Sequence, residues 1–398
     1  MQKKKRVLID PRANTPAYDV ALLAGLRRQG EDAELFTADF YPDPYAPASK
    51  VPGRRYYFLR LSRFLRRKFK HVKPVVKVAI LLGPIEYVAD LLRLAFYCLL
   101  KRPTLHIVWA FVLPADLLFL LFVRLIGLQV VYTVHNPLPH DKETRTNKLL
   151  YGLLYGLTNE LIFHCQATVD DCKAVIPLEG RKWSIIPCGV FFADWEPVRR
   201  EEARKKLGWP QDETIVVFVG HARPYKGLDI LLRAIAAMNT EQRVRLVVSA
   251  SFRFAHMEDF AELFDAVRAK VALDIYDEVP SDERFVHLTC GADLFVLPYR
   301  SGTASVSGMT AVRFGTPLIV TNVGALPEML GEGLAEYVVE PCNVDALRDA
   351  LERFLALDAA QRKDIGEALE HRGREHFGWD NIARQTIAVY NSHQDPSK

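Results

Sequence analysis

The chain has few cysteines, and none of them is spaced as a pair. Six cysteines are spread over 398 residues, without a C-x-x-C string and without histidines at metal-ligand spacing. A disulfide framework is therefore excluded for a chain of this size, and a cysteine-based zinc site is not expected. The pattern predicts free thiols in a reducing cytoplasm.

Long uninterrupted apolar runs are also absent. The most apolar stretch, Leu105–Val134, is broken by Pro114 and Asp116 and again by Arg124 and Gly127, so it stays short of the roughly 20 apolar residues that a membrane-spanning helix needs. The N-terminal string MQKKKRVLID lacks the apolar region and cleavage site of a signal peptide. We therefore expect a cytoplasmic protein.

One segment lacks acidic residues although the whole chain is nearly balanced, with a net charge of +4. Residues 54–77 contain ten Lys or Arg and no acid. Apolar side chains recur there at helical spacing: Phe58, Leu61, Leu65, Phe69 and Val72. The pattern predicts a basic amphipathic helix on an anionic membrane surface; a solvated helix packed on its own domain is the alternative. No nucleic-acid module accompanies it, so a nucleic acid is not an expected partner.

Strands and helices alternate along the chain. RVLID (Arg6–Asp10) opens a β-α-β unit, and a second alternating array begins at Thr214 after a charged segment near Phe192–Pro197. Two such arrays predict an α/β protein with two doubly wound, Rossmann-like domains facing a cleft. We expect an N-terminal domain over 1–192, a C-terminal domain over 193–377, and a last helix over 378–398 that packs back toward the first domain.

The C-terminal half contains a candidate diphosphate site. In VFVGHARPYKGLDILLRA a strand ends at Gly220, a short loop carries Arg223 and Lys226, and Gly227 precedes a helix. Ligands of open α/β sheets bind at the carboxyl ends of strands, where a diphosphate is held well by a guanidinium fork and an ammonium group. The alternative is an ordinary surface turn with solvated charges.

A second segment of that half, residues 297–330, shows the same kind of transition. A loop of small residues, Ser301–Ser307, leads into a helix, and such a loop exposes backbone N–H groups to a phosphate. The candidate donor-binding residues here are Arg300, Ser305, Ser307, Gly308, Thr310 and Glu328.

Together these segments resemble the nucleotide-sugar site of glycosyltransferase family 4 and its GT-B relatives. The matching strings are FVG…RPYKGLDILLRA, ADLFVLPYR and FGTPLIVTNVGALPE. VVYTVHNPLPHDKETRTNKLLYGLLYGLTNELIFH in the first half resembles a bacterial polysaccharide-assembly subgroup. The resemblance implies a GT-B hexosyltransferase with an acceptor-binding N-terminal domain and a C-terminal domain that binds a UDP- or GDP-sugar. It also implies a glycan acceptor in surface polysaccharide or glycolipid synthesis. The basic amphipathic segment 54–77 fits an acceptor that is lipid-linked at the inner face of the cell membrane.

The sequence departs from that family at one place. Relatives have two glutamates eight residues apart, associated with the donor sugar and ribose, where this chain has Gly302 and Thr310. Hydroxyl and amide groups of residues 305–310 then have to supply those contacts, and the sugar and the anomeric outcome stay open. The loss of both glutamates motivates one alternative, a catalytically silent scaffold in a polysaccharide-assembly complex. A soluble transferase with a small acceptor is the alternative among enzymes.

A loop of the N-terminal half offers candidates for acid–base chemistry. His135, His140 and Asp141 lie on it, and the resemblance places His135 near the donor phosphate and sugar. Asp141 is the preferred general base if the reaction inverts. The chain has no D-x-D string, so neither a metal ion nor another cofactor is expected.

The loop after the first strand is the candidate acceptor side. It carries Arg12, Asn14 and Tyr18. A G-x-G-x-x-G fingerprint is missing there, which argues against a dinucleotide-dependent oxidoreductase.

Overall fold

The computed structural model describes residues 4–39, 50–138, 144–192 and 195–392. Two compact units divide the chain: Met1–Cys188 together with Trp379–Lys398, and Gly189–Gly378. We call them the N-terminal and the C-terminal domain. The division falls a few residues before Phe192–Pro197, and the last helix belongs to the N-terminal domain.

The N-terminal domain consists of strands and helices in close alternation. Its strands are Arg6–Asp10 (β1), Ala33–Ala38 (β2), Arg54–Phe58 (β3), Thr104–Ile107 (β4), Val130–Val134 (β5), Glu160–Phe163 (β6) and Trp183–Ile185 (β7). Its helices before the domain division are Pro16–Arg28 (α1), Arg60–Lys68 (α2), Lys73–Lys101 (α3), Leu113–Leu125 (α4), Arg145–Leu157 (α5) and Gln166–Val175 (α6).

The C-terminal domain repeats the alternation. Its strands are Thr214–His221 (β8), Val244–Ser251 (β9), Ala272–Tyr276 (β10), Leu294–Leu297 (β11), Leu318–Thr321 (β12) and Val338–Val339 (β13). Its helices are Arg200–Leu207 (α7), Leu228–Ala237 (α8), Ala261–Arg268 (α9), Asp282–Gly291 (α10), Val306–Arg313 (α11), Leu326–Leu330 (α12), Val344–Ala356 (α13) and Ala359–His376 (α14). Trp379–Asn391 (α15) completes the N-terminal domain.

Both sheets are parallel and have the doubly wound strand order. The first runs β3–β2–β1–β4–β5–β6–β7 and the second β10–β9–β8–β11–β12–β13. The order reverses between β1 and β4 and between β8 and β11, and ligands of this fold bind outside the carboxyl ends of the strands at such a reversal. The prediction of two Rossmann-like domains is confirmed.

Each face of the N-terminal sheet is covered by its own helices. Tyr18 and Leu22 of α1 share a core with Trp379 and Ile382 of α15. The other core contains side chains of α3, α4 and α5: Tyr87, Leu94, Phe119, Leu120 and Leu154. We call α2 to α5 the outer helical layer, because these helices follow one another in contact along that second face.

The predicted single helix over 54–77 is wrong. Residues 54–58 form β3, which pairs with β2, so Phe58 lies in the core instead of on an exposed stripe. A helix begins only after Leu59, whose backbone is left-handed (φ 53°), and ends at Lys68. The next helix begins at Lys73 with Pro74 in its first turn, where the missing proline N–H leaves no bond unmade.

The same region contains the long helix α3, which the sequence patterns did not predict. It has 29 residues and holds Pro84 in its interior. None of the described helices is both long and apolar enough to cross a membrane.

Candidate active site

The reversal point of the C-terminal sheet brings two loops into close contact. Gly227 ends the turn after β8 with a φ of 68°, and a Cβ atom there would lie 1.9 Å from the carbonyl oxygen of Pro298 at the end of β11. Gly220 has a φ of 139°, and its Cβ would lie 2.8 Å from the Lys226 Nζ. Glycine at position 227 therefore lets the Arg223–Gly227 turn approach the end of β11, and glycine at position 220 leaves room for the ammonium group of Lys226.

Lys226 is held at the strand ends by a tyrosine. Its Nζ donates to the Tyr299 hydroxyl at 3.0 Å and lies 4.9 Å from the centre of that ring. The Tyr299 oxygen is also 3.0 Å from the Ser305 Oγ, and the Tyr299 ring is buried. This network positions an ammonium group between the end of β8 and the start of α11.

Arg223 lies beside it without an acidic partner. Its guanidinium carbon is 3.7 Å from the centre of the Phe254 ring. Among the described acids none forms an ion pair with Arg223 or Lys226, and the neighbouring Asp229 is taken by Arg300. Two cations without a counter-charge at the carboxyl ends of parallel strands make a site for an anion such as a diphosphate.

The imidazole of His221 lies in the positive electrostatic potential of this site. Burial lowers the pKa of its imidazole, and the charges of Lys226, Arg223 and Arg253 lower it further. The buried Nδ1 has no hydrogen-bond partner among the described residues. His221 is therefore neutral at physiological pH, and the positive charge of the site comes from the arginines and the lysine.

Arg300, which the sequence predicts as a contact of the sugar donor, forms hydrogen bonds with the loop that carries Arg223 and Lys226. Its two Nη atoms donate to the Asp229 carboxylate at 2.9 and 2.6 Å, and Nη1 also donates to the Pro224 carbonyl. The Arg300 backbone N–H donates to the Tyr225 carbonyl at 2.7 Å. These bonds fix the turn that carries Arg223 and Lys226.

The predicted hydroxyl contacts at the start of α11 already have partners. Ser305 caps the helix by accepting from the Gly308 N–H at 3.2 Å. Ser307 Oγ is 3.4 Å from the Val219 carbonyl oxygen, to which it donates. Thr310 is fully buried and donates to the Val306 carbonyl at 2.8 Å. The structure thus gives these side chains roles in holding the helix start beside β8.

At one of the two positions the structure explains why a glutamate is absent. Gly302 has a φ of 146°, which side-chain-bearing residues rarely adopt, and its carbonyl oxygen would be 2.2 Å from a Cβ on Gly324. Glu328, predicted for the same end of the site, is half-buried, and its carbonyl accepts two bonds from Arg372 at 2.9 and 2.7 Å.

The N-terminal domain has a buried carboxylate at its own reversal point that the sequence patterns did not single out. Asp10 ends β1, and its oxygens accept from the N–H groups of Arg12 (3.1 Å), Asn14 (2.6 Å) and Thr15 (3.2 Å). Burial raises the pKa of Asp10 and, beside it, the pKa of the Asp19 carboxyl. The sequence feature that could have identified Asp10 is an acidic residue at the end of the apolar strand RVLID.

The predicted acceptor-side residues separate in the structure. The Arg12 guanidinium lies 5.0 Å from the centre of the Phe111 ring, and Asn14 belongs to the loop held by Asp10. Tyr18 is buried, with its ring edge-on to His135 at 5.1 Å between centroids. Tyr18 thus supports the histidine from the core.

His135 is part of a histidine pair with a defined tautomer. The Nδ1 of His164 faces the Ile186 carbonyl at 3.0 Å, and because a carbonyl only accepts, this nitrogen carries the proton. Burial lowers the pKa of His164, which is therefore neutral, and its Nε2 accepts from the Nδ1–H of His135 at 3.1 Å.

The other nitrogen of His135 is consequently an acceptor. Its Nε2 carries a lone pair, is buried and has no partner among the described residues. The ring stacks on Trp109 at 4.8 Å with an interplanar angle of 8°. Burial lowers the pKa of His135 well below its usual value, so this nitrogen suits a hydrogen bond from a hydroxyl better than it suits full proton abstraction.

The remaining loop candidates, His140 and Asp141, lie outside the described residues. No group of three or more His, Cys, Asp or Glu among the described residues is placed to hold a metal ion. Transfer without a metal or other cofactor stays a prediction.

Comparison with known proteins finds a family match in the C-terminal domain. Residues 199–372 match the family model described as Glycosyl transferases group 1. The MMP alpha-(1->4)-mannosyltransferase of Mycolicibacterium hassiacum is 27% identical over 292 residues, which are 68% of this chain and 67% of that protein. The D-inositol 3-phosphate glycosyltransferase of a Nocardioides species is 30% identical over 52% of this chain and 47% of its own length.

Solved structures agree on the fold. The Anabaena protein Alr3699/HepE matches in complexes with UDP (TM-score 0.70, 14% identity) and with UDP-glucose (TM-score 0.67, 15% identity). Each match covers 98% of this chain and 100% of that protein. The chain spans between about half and two thirds of the two relatives above, and the family match lies on the domain that carries Arg223 and Lys226. The resemblance inferred from the motifs is confirmed over residues 199–372, which match the group 1 glycosyltransferases, and the chain has the GT-B fold.

Proposed function

We propose that this protein transfers a hexosyl group from a UDP- or GDP-sugar to a glycan acceptor that is linked to a lipid. The observation that carries the proposal is the pair of cations, Arg223 and Lys226, without an acidic partner at the reversal point of the C-terminal sheet. The relatives named above are a mannosyltransferase and an inositol phosphate glycosyltransferase, and the Anabaena protein binds UDP and UDP-glucose.

The chemistry assigned to the two cations is stabilisation of the leaving group. The bond between the sugar C1 and the diphosphate oxygen breaks, and a bond forms between C1 and the acceptor oxygen. The acceptor hydroxyl gives its proton to the departing diphosphate or, if the reaction inverts, to Asp141. Negative charge accumulates on the departing nucleoside diphosphate, where fixed cations lower the barrier. The Nε2 of His135, held as an acceptor, would take a hydrogen bond from a sugar hydroxyl.

The acceptor and the location are part of the proposal. Exposed cations of the segment 54–77 and the lipid-linked acceptor class together support a peripheral enzyme at the inner face of the cell membrane. Surface polysaccharide or glycolipid synthesis is the process that such an acceptor serves.

Calorimetric titration with UDP and with GDP tests the donor site. We expect micromolar-range binding of one nucleotide, with a Kd at least ten-fold higher for Arg223→Ala and for Lys226→Ala. Arg233→Ala, an exposed arginine on α8, is the matched control and should bind as the wild type does.

Failure of both nucleotides to bind would contradict the proposal. That result would favour the second candidate, a silent scaffold, which the absence of carboxylates at Gly302 and Thr310 supports. Binding combined with transfer to a short soluble acceptor, but not to a lipid-linked one, would instead identify a soluble transferase.

A further inference from the structure

The outer helical layer of the N-terminal domain exposes an unusual amount of apolar surface. Of the twenty-two large apolar side chains that are exposed among the described residues, seventeen lie between Leu61 and Leu153, on or beside α2 to α5. Large exposed apolar patches on a globular domain mark a surface that contacts another apolar phase or molecule. Nothing in the donor-site chemistry uses this surface.

Helix α3 carries the main part of it as a continuous stripe. The side chains repeat at intervals of three and four residues and are each between 44% and 73% exposed: Leu81, Ile85, Val88, Leu92, Phe96 and Leu99. At 1.5 Å per residue the stripe is about 27 Å long. The opposite face of α3 packs into the core through Tyr87, Leu91 and Leu94. A helix that is apolar on both faces is ordinarily covered on both.

The neighbouring helices extend the stripe sideways. Leu118, Leu121 and Leu125 of α4 are exposed at the same spacing, and so are Leu149 and Leu153 of α5. The opposite sides of both helices lie in the core of the sheet, so these leucines point outward as those of α3 do.

No acid of the outer helical layer points outward. Glu86 accepts from the N–H groups of Leu61 and Ser62 at 2.6 and 2.8 Å, which caps α2. Asp90 accepts from the Leu59 N–H at 2.8 Å. Asp116 accepts from the Phe111 N–H at 2.8 Å and from the Tyr87 hydroxyl. These are all the acids of the described residues 54–138 and 144–157.

Basic side chains border the apolar surface at its α2 end. Exposed cations lie on α2, on the turn after it and on the first turns of α3: Arg60, Arg66, Lys68, Lys70, Lys73 and Lys77. Leu61 and Phe64 are exposed among them. A surface with apolar side chains at its centre, cations at its border and no outward acid complements an anionic lipid headgroup layer above hydrocarbon.

We infer that the outer helical layer is a bilayer-docking surface, in which the leucine stripes of α3, α4 and α5 enter the headgroup–acyl boundary of an anionic membrane and α2 binds the phosphates. The inference rests on the proposed function in one respect: docking on a bilayer would bring the enzyme to the lipid-linked acceptor proposed above. A second copy of the chain is a less favourable partner, because the same surface of that copy would offer no outward acid of the described residues to pair with these cations.

Vesicle flotation of the full chain tests the inference, with phosphatidylglycerol-containing and pure phosphatidylcholine vesicles. We expect the wild type to float with the anionic vesicles and to bind them at least ten-fold more weakly after Ile85→Asp/Leu92→Asp. The matched control Val279→Asp, at a similarly exposed valine of the C-terminal domain, should float unchanged. Arg66→Glu/Lys70→Glu should weaken binding several-fold and reduce its salt dependence.

Three outcomes would overturn the inference. One is a wild type that stays unbound to anionic vesicles. Another is flotation that survives Ile85→Asp/Leu92→Asp in protein with an unchanged circular dichroism spectrum. The third is a concentration-dependent dimer in solution that this double substitution makes monomeric while vesicle binding persists, which would assign the face to a second copy. Nucleotide titration of the same samples is independent of all three, so it separates failure of this surface from failure of the donor site.

Discussion

The two domains share one sheet topology but treat their apolar residues differently. In the C-terminal domain only five large apolar side chains are exposed among the described residues, Tyr225 and Phe254 beside the donor-site cations among them. The N-terminal domain exposes seventeen, and they lie on the helical layer that covers one face of its sheet. Topology therefore does not determine what the outside of the helices contacts. The difference lies in surface composition: the C-terminal domain exposes few large apolar side chains, whereas the outer helical layer of the N-terminal domain exposes many.

The sharpest test of the C-terminal side of this comparison is Gly227→Ala. A Cβ at a φ of 68° and 1.9 Å from the Pro298 oxygen cannot be accommodated without moving the turn or the end of β11. We expect a loss of about 3 kcal/mol or more in the free energy of unfolding, and nucleotide affinity reduced at least a hundred-fold, because Lys226 and Arg223 move with the turn. Urea unfolding and calorimetry measure the two effects.

Gly333→Ala is the matched control for that substitution. Gly333 lies in the same domain, and a Cβ there would meet no atom within 4 Å. Nucleotide binding of wild-type strength in Gly227→Ala would show that the loop contact does not position the cations.

Asp116 gives a test on the other domain, inside its outer helical layer. Burial raises the pKa of this carboxyl to about 6 from an ordinary value of 3.8. The folded state then binds more protons than the unfolded state between these values, so stability falls as pH rises from about 4 to about 6. The loss at neutral pH is about 3 kcal/mol.

Asp116→Asn removes that dependence, since an amide does not ionise and its oxygen still accepts from the Phe111 N–H. We expect the free energy of unfolding of the wild type, but not of the variant, to decrease between pH 4.5 and pH 7.5 in urea titrations. Asp265→Asn, at an exposed acid of the C-terminal domain, should follow the wild type. If Asp116→Asn and the wild type show the same pH dependence, ionisation of the Asp116 carboxyl does not destabilise the folded state, and the prediction is wrong.

How far the sequence predicts these features differs between the domains for a physical reason. Strands β1 and β5 have the bounds expected from RVLID and VVYTV, because a short run buried on both faces has a pattern of its own. The Arg223–Gly227 turn was located because its charges and glycines are contiguous in the chain.

The features that were missed depend on contacts between distant residues. Tyr299 contacts Lys226 only because β11 lies next to β8 in the sheet. Phe254 contacts Arg223 only because β9 lies on the other side of β8. The exposed apolar stripe of α3 was not predicted, because a helix that is apolar on both faces has no amphipathic periodicity. Pro84 in its interior also indicates the end of a helix in the sequence. Burial of Phe58 in β3 shows the same limit: helical spacing of apolar residues does not reveal that a strand supplies one of them.

Tyr299→Phe measures how much the phenol contributes to positioning the ammonium group. The substitution removes the hydroxyl that lies 3.0 Å from both the Lys226 Nζ and the Ser305 Oγ. One lost hydrogen bond to a charged group is worth about 1.5 kcal/mol, so we expect a Kd for the nucleotide about ten-fold higher. Tyr337→Phe, at a buried ring of the same domain, should leave the Kd unchanged. An unchanged Kd in Tyr299→Phe would mean that the bound nucleotide alone orders Lys226.

The smallest effect concerns His135 in the N-terminal domain, whose role depends on a proton position. The Ile186 carbonyl, His164 and His135 form a chain of two hydrogen bonds, at 3.0 and 3.1 Å, that leaves the His135 Nε2 unprotonated. Nitrogen-15 shifts of the labelled imidazoles should therefore show Nδ1–H tautomers for both rings from pH 6 to pH 8, because burial lowers both pKa values.

In His164→Phe the side chain keeps a ring but offers no acceptor to the His135 Nδ1–H, and His135 becomes a mixture of tautomers. Only the fraction with a lone pair on Nε2 can accept a hydrogen bond from a hydroxyl, so the apparent affinity for the glycan acceptor should fall several-fold, measured as a higher KM for the acceptor. Affinity for the free nucleotide, whose proposed site lies in the C-terminal domain, should not change. A wild-type His135 protonated on Nε2 would reverse the direction of the hydrogen bond, and the ring would then be a donor to a phosphate or carbonyl oxygen instead of an acceptor. This one spectrum thus decides whether the buried histidine of the N-terminal domain can accept from a hydroxyl, as its neighbours dictate, or can donate to an anion, the class of ligand proposed for the cations of the C-terminal domain.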